Sequence, residues 1–398
     1  MKKMKEISRK IIATFLIVGT VMSIIVFHSL DKNFFNPKEK GAWVLWNENP
    51  ASEAIISWES TNLEDSTVYY GENLNLLNYS ILNPTLTEIH HIILTDLKSN
   101  TKYYYKIGSS EKMKDEINVF QTAPDNENSS FTFMAISDTQ QTSWSNGFCD
   151  KVAGKLKTNI FEYDFLMNVG DFVWNGEDQS DWDDFFNTYK EVFNKTVLVP
   201  VIGNHDSSYP KVNESSTQSK FPSYFPLSSN SNFYAYSFNY SMVHFTICDF
   251  QYGSEDEFEN LRQSQLEWLK NDLEQAQNSK YRIVSFHCPI EASGFHGINE
   301  DMVENLLPIL KTYNVSLILN GHDHHYEHVI CDGIDSIILG GGGSFQDPHA
   351  ILINDCQNMV FGLTYTSISV NNDYIQVNTF TLDDDLVDSF KIQSRRDD

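Results

Sequence analysis

The feature that most constrains this chain is a series of short apolar runs, each ending in a residue type that binds metal ions. Asp138 follows 131–137, Asp171 follows 165–170, Asn204 and His205 follow 197–203, His287 follows 283–286, and His322 and His324 follow 317–321. Apolar runs of this length read as buried strands, and in layered α/β sheets ligands bind beyond the carboxyl ends of the strands. A strand-end Asp alone is more often a helix cap or turn residue. An isolated histidine is more often an ordinary core or surface group than a ligand. Several such ends in succession instead point to one sheet edge lined with donors. Gly170, Gly203 and Gly321 stand just before three of them, where the backbone must turn tightly.

Around this series, β-runs alternate with helical stretches, the mark of an α/β layered domain whose sheets are flanked by helices. Strands are predicted over 131–137, 165–170, 197–202, 243–248, 283–286 and 315–319, and helices over 181–193, 257–277 and 299–313. In the second helix Phe258, Leu261, Leu266, Trp268, Leu269 and Leu273 recur at helical spacing and read as packing. Residues 364–383 alternate as an antiparallel hairpin around Asn371-Asn372-Asp373. Residues 42–122 differ: short β-runs at 54–58, 67–71, 91–94 and 102–107 are separated by turn residues, as in a β-sandwich. The stretch 97–103 has the pattern of a tyrosine corner ending on Tyr103. The expected organisation is an N-terminal segment 1–30, a linker 31–41, a β-sandwich 42–122, a linker 123–130 and an α/β domain 131–398.

Lys2, Lys3, Lys5, Arg9 and Lys10 precede an apolar run over 11–30 that holds no Asp, Glu, Lys or Arg. Its length approaches a bilayer span, and basic residues before it favour a cytoplasmic start with an exported body. The segment is read as a membrane anchor, with a cleaved signal peptide as the alternative; both place the body outside the cytoplasm. The net charge of −26 argues against nucleic acid and anionic lipid as partners. If the substrate is an anionic phosphate, bound cations must overcome that field locally. The five cysteines show no CxxC spacing and read mostly as buried apolar residues.

The order Asp138, Gly170-Asp171, Gly203-Asn204-His205-Asp206, His287 and Gly321-His322-Asp323-His324 resembles the calcineurin-like metallophosphoesterases. The sandwich before it resembles a fibronectin type III module and narrows the resemblance to the purple acid phosphatase branch. Gln265-Leu266-Glu267-Trp268-Leu269 and the run 340–343 also resemble that branch, and the likeness spans nearly all of 42–385. It implies two divalent or trivalent metal ions: one held by Asp138, Asp171 and His324, the other by Asp171, Asn204, His287 and His322, with Asp171 bridging. Such a mixed N/O donor set suits Fe, Mn, Zn or Co.

Two positions depart from the branch. Trp174 stands where purple acid phosphatases have a tyrosine, and an indole supplies no phenolate. Gln140 stands where other subfamilies have a histidine ligand; it is either a ligand through its carbonyl or a hydrogen-bonding loop residue. The resemblance implies metal-assisted hydrolysis with in-line attack of an activated water on phosphorus. His205, oriented by Asp206, would be a proton donor, and His296 a second acid candidate. His325 and His328 are expected merely to decorate the loop, and Asp323 to point away. The implied function is an exported phosphomonoesterase acting on a small phosphorylated substrate. The alternatives are a phosphodiesterase acting on nucleotides or phospholipid head groups, and a surface-anchored binding protein with an inactive phosphoesterase domain.

Overall fold

The structure is a computed structural model and describes residues 40–142, 145, 147–207, 219–227, 234–250, 263–346 and 350–394. The first part is all strand: β1 Lys40–Leu45, β2 Ala54–Gly71, β3 Tyr79–Leu94, β4 Lys102–Gly108 and β5 Asn118–Gln121. Alternate residues of these strands bury Trp43, Trp58, Tyr105 and Phe120, as a sheet with one packed face requires. The corner expected at Tyr103 is present: the backbone N–H of Lys98 donates to its Oη at 2.9 Å.

From β6 Phe131–Ile136 onward, strands and helices alternate. There follow α1 Phe148–Asn159, β7 Phe165–Asn168, α2 Gln179–Phe193, β8 Val197–Pro200, α3 Phe221–Tyr224, β9 Tyr236–Tyr240 and β10 Val243–Ile247. Next come α4 Gln263–Gln275, β11 Tyr281–Ser285, α5 Leu307–Thr312, β12 Leu317–Asn320, β13 Tyr326–Cys331, β14 Ile334–Leu339 and β15 Cys356–Val360. The antiparallel strands β16 Thr364–Val370, β17 Tyr374–Thr381 and β18 Leu386–Gln393 close the series, the first two forming the hairpin expected around Asn371.

An eleven-stranded sheet runs β18-β17-β16-β6-β7-β8-β1-β2-β4-β5, with β3 on β2; a seven-stranded sheet runs β15-β13-β14-β12-β11-β10-β9. β1 pairs with β2 on one side and β8 on the other, so hydrogen bonding is continuous between the N-terminal strands and the α/β part. Buried Lys40 strengthens this seam by pairing with both Glu59 of β2 and Asp183 of α2. The two sheets face each other through aromatic rings: Phe133 and Phe165 of one lie 5.5 and 5.7 Å from Phe245 of the other. On the far side of the seven-stranded sheet, Leu266, Leu269 and Leu273 of α4 pack with Val284 and Ile318 in a second core.

The helix expected over 299–313 begins as a π-helical turn, Met302–Leu306, before α5. Pro308 has no N–H to donate, and the widened turn lets the N–H of Leu307 reach the Met302 carbonyl instead. The helix expected from 257 is described only from Gln263. No disulfide joins the five cysteines, four of which are buried. Among the described residues no helix is long and apolar enough to cross a membrane; the segment 1–30 lies outside them.

Candidate metal centre

The parallel strands β6, β7 and β8 of the eleven-stranded sheet and the parallel pair β11 and β12 of the seven-stranded sheet send the loops after their carboxyl ends to one place, so the donors come from two sheets and not from the single edge expected. The loops leaving these strands are cross-linked through their backbones. Asp138 N–H donates to the Gly170 carbonyl at 3.0 Å, Thr139 N–H to the Asp171 carbonyl at 2.9 Å, and Gly321 N–H to the His287 carbonyl at 2.8 Å. The carboxylate of Asp138 accepts the N–H of His322 at 2.9 Å, tying the ends of β6 and β12 together. Asp138, Asp171 and His322 lie in the left-handed backbone region, with φ of 60°, 53° and 75°. Such conformations cost energy and persist where surrounding structure holds them, which is common at functional sites. A β-carbon on Gly203 would run into Asp171, and one on Gly321 into Ser137 and Asp138. Those glycines are required by close approach.

Two donor groups result, Asp138–Asp171–His324 and Asp171–His287–His322, each with ligand atoms within 4.8 Å of one another and sharing Asp171. His287 Nε2 lies 3.3 Å from Asp171 and 3.8 Å from Asp138, and His324 Nε2 lies 3.5 Å from Asp138. Asn204 joins through Oδ1, 2.9 Å from His322 Nδ1. The residues fit metal ions on an independent ground. His287 Nδ1 donates to the Val169 carbonyl at 2.7 Å, which leaves Nε2 as the lone-pair atom. That Nε2 is buried, makes no hydrogen bond and faces two carboxylates. A lone pair aimed at carboxylates is stable only with positive charge between them, supplied by a proton on Nε2 or by a metal ion in its place.

The electrostatics agree. Burial works against charge on His287, but Asp171 and Asp138 overcome it and hold the imidazole up at about 10. Burial raises Asp138 above the usual carboxylate range, partly offset by His287 and His324. Asp171 is held well below that range: burial opposes this, and the charges of His287 and His205 outweigh it. Burial, with His296 and His287 nearby, keeps His322 neutral. The net demand of the cluster is for positive charge at its centre.

The other expected site residues are placed as follows. Gln140 is buried, with Nε2 3.1 Å from Asp171 Oδ2 and 3.3 Å from His324 Nε2, while its Oε1 has no hydrogen-bond partner. It borders both donor groups. His205 N–H donates to Asp171 Oδ1 at 3.0 Å, and its ring Nδ1 is held by the Trp174 carbonyl at 2.7 Å. The orienting group expected for His205 was Asp206, and the structure differs. Buried Asp206 accepts the N–H groups of Phe172, Val173 and Gly203 at 2.9, 3.2 and 2.9 Å. It braces the loop carrying Asp171, because three backbone donors capture a carboxylate more completely than one imidazole.

His296 reaches the site, its ring 3.8 Å from that of His322. Its Nδ1 is 2.9 Å from Asp323 Oδ1, so Asp323 turns toward the site rather than away. The sequence signal was its place between two donor histidines. Nor do His325 and His328 decorate a loop. His325 is buried against Glu327 at 3.1 Å, and His328 lies in β13 with Asp335 at 2.9 Å. Trp174 is turned outward, its ring tilted against that of His205 with centres 4.3 Å apart. Of residues 207–232, which follow the Asn204–His205 segment, only 207 and 219–227 are described.

Comparison with known proteins places this arrangement. Residues 131–326 match the calcineurin-like phosphoesterase family and residues 43–122 the purple acid phosphatase N-terminal domain. Tartrate-resistant acid phosphatase type 5 of Homo sapiens is 30% identical over 219 residues, covering 48% of this chain and 64% of that protein. The Mus musculus counterpart is 29% identical over 46% of this chain and 62% of its own length. Purple acid phosphatase 18 of Arabidopsis thaliana is 26% identical over 73% of this chain and 63% of that protein. The chain thus spans somewhat under two thirds of the length of these relatives. In structure, a purple acid phosphatase from yellow lupin (Lupinus luteus) seeds superposes with a TM-score of 0.75 at 16% identity, covering 90% of this chain and 75% of that one. PhoD superposes at 0.66 and 12% identity, covering 88% and 90%. Motif order, strand-end geometry and these matches agree that the chain joins a calcineurin-like metallophosphoesterase domain to a purple acid phosphatase N-terminal domain.

Proposed function

We propose that this chain is a metal-dependent phosphomonoesterase with a dinuclear centre. The observation that carries the reading is the pair of donor groups sharing Asp171. Asp138, Asp171 and His324 would hold one ion, and Asp171, Asn204, His287 and His322 the other, with Gln140 as a further oxygen donor to the first. A shared carboxylate offsets the repulsion of two close cations, and the neutral amide of Asn204 keeps the centre electrophilic. The donors suit Fe, Mn, Zn or Co. Because Trp174 supplies no phenolate, this proposal does not include the purple-type ferric site. Bound ions supply an activated water near neutral pH and charge stabilisation at the phosphoryl oxygens.

The chain's own residues do the rest. The Trp174 carbonyl fixes the tautomer of His205, leaving Nε2 to exchange a proton with the leaving oxygen. His296, oriented by Asp323, is the second candidate donor. Asp206 keeps the Asp171 loop in register. The basic cluster and apolar run at 1–30 support an exported location, by anchor or cleaved leader.

The test is hydrolysis of nitrophenyl phosphate against its bis ester by the metal-loaded protein, with elemental analysis, and again with Asn204→Ala and His322→Ala. Preference for the monoester and large losses in both variants are expected. Preference for the diester would replace the reading by a phosphodiesterase. Absent activity would indicate a binding protein with an inert domain, and activity indifferent to both changes would show that this centre is not the catalytic one.

A further inference from the structure

Large apolar side chains stand exposed beside the donor cluster, and neither the packing nor the hydrolytic chemistry uses them. Trp174 is 45% exposed, Phe295 77% and Ile351 86%. A chain of contacts connects them through the site. The tilted ring of Trp174 lies against His205, and the adjoining Asn204 touches His322. His322 lies against His296 with the rings tilted, and the ring of Phe295 meets His296 edge-on at 5.4 Å. Two exposed rings therefore flank the row of polar groups that would face a phosphate. Ile351 belongs to the Phe295 side, since its N–H donates to the Ser293 carbonyl at 2.8 Å. A third ring, Phe345, meets His324 at 4.7 Å.

Apolar surface bordering a polar site marks a binding surface, because covering it releases water while the polar groups fix orientation. The faces offered are aromatic, so a flat ring gains offset or edge contacts beyond simple area burial. The charge pattern narrows the class further. Glu177, Asp178, Asp181 and Asp184 follow Trp174 in a chain of net charge −26, which disfavours substrates with several phosphates.

We propose that Trp174 and Phe295 form an apolar clamp for the leaving group, and that the substrate class is a single-phosphate ester carrying an aromatic group. The clamp rests on the phosphoesterase reading of the site. In it, Trp174 has exchanged the tyrosine's place near the metal for a place against the substrate.

Calorimetric titration of the metal-loaded protein with phenylpropylphosphonate, hexylphosphonate and propylphosphonate tests it, since these analogues bind without turning over. The phenyl compound is expected to bind about tenfold more tightly than the propyl one. Most of that advantage should vanish in Trp174→Ala and in Phe295→Ala. Equal affinities, or an advantage unchanged in both variants, would overturn the clamp. Hexylphosphonate binding as tightly as the phenyl compound would overturn the aromatic class. Hydrolysis of propyl phosphate by the same protein reports separately on the phosphoesterase reading. Hydrolysis without a phenyl preference defeats only the clamp, and phenyl-preferring binding without hydrolysis defeats only the enzymatic reading.

Discussion

His90 in the N-terminal strands and His287 at the end of β11 are both buried, yet their surroundings push them toward opposite charge states. His90 stacks on Trp58 with ring centres 4.5 Å apart, and its two nitrogens meet only hydroxyls, Ser60 at 2.8 Å and Ser66 at 2.9 Å. Burial, aided by the charges of Lys114 and His91, pushes it down to about 4. His287 meets two carboxylates instead and is held up at about 10. Burial alone makes a histidine a neutral structural group. Burial beside carboxylates favours positive charge, and where several carboxylates and histidines converge, as around His287, they make a place for a cation. The N-terminal region uses its polar residues to knit strands together, whereas the strand ends of the α/β region gather them without satisfying them among themselves.

The largest effect that would break this contrast is on activity. Asp171→Asn should lower hydrolysis of nitrophenyl phosphate by more than about 100-fold, the upper range for losing a residue that only supports a metal ligand. Bound metal measured by elemental analysis should fall with it, while His90→Gln should stay within about twofold of the parent protein. A His90 variant as impaired as the Asp171 variant would dissolve the distinction.

An intermediate effect is expected on acid stability. A histidine whose folded pKa is depressed binds fewer protons folded than unfolded, so stability is lost as pH falls from the ordinary value of 6.5 toward about 4. After allowance for solvent screening, this should amount to roughly 1–2 kcal/mol. Urea unfolding of the parent and of His90→Gln at pH 7.5 and 4.5 checks it. A stability difference between the two that stays constant with pH would count against a neutral His90.

The smallest effect concerns His328, which stacks on Phe390 and bridges Asp335 and Asp388 between the two sheets. Burial lowers its pKa, but the hydrogen bonds to Asp335 and Asp388 outweigh this and raise it; Asp388 is correspondingly lowered, against its own burial. For the raised histidine, stability is complete below 6.5 and fades as pH rises through the folded value. For the lowered aspartate, stability is present above the ordinary carboxylate value and fades as pH falls through the folded one. His328→Gln should therefore cost about 1 kcal/mol near pH 6 and less near pH 9. A cost that grows with pH would show that stacking alone, not the ion pair, holds His328.

The strand-end residues were legible in sequence because each follows a short apolar run, and strand periodicity is a local property. Asp138, Asp171 and Asn204 follow strands of the eleven-stranded sheet and His287, His322 and His324 follow strands of the seven-stranded sheet, so the expectation of a single sheet edge does not hold: two sheets deliver the donors to one place. The orientation of their neighbours was not legible. Asp206 and Asp323 are each one residue from a site histidine, and adjacency suggested the wrong partner for the first and none for the second. Which donor a carboxylate meets depends on loops from strands distant in sequence: Phe172 and Val173 for Asp206, His296 for Asp323. The same limit hid the pairing of β1 with β8 and the ion pairs of Lys40.

By itself, the sequence determined the donor set, its order and the strands that deliver it, because apolar periodicity and residue chemistry are written locally. Tertiary structure brought the donors into the two groups around one shared carboxylate that the family resemblance had implied. It decided that Asp206 braces a loop instead of a histidine, and that Trp174 and Phe295 stand exposed on either side of the site. Those outcomes depend on backbone turns meeting in space, where close approach at Gly203 and Gly321 and the supply of N–H donors select among arrangements that the sequence leaves open.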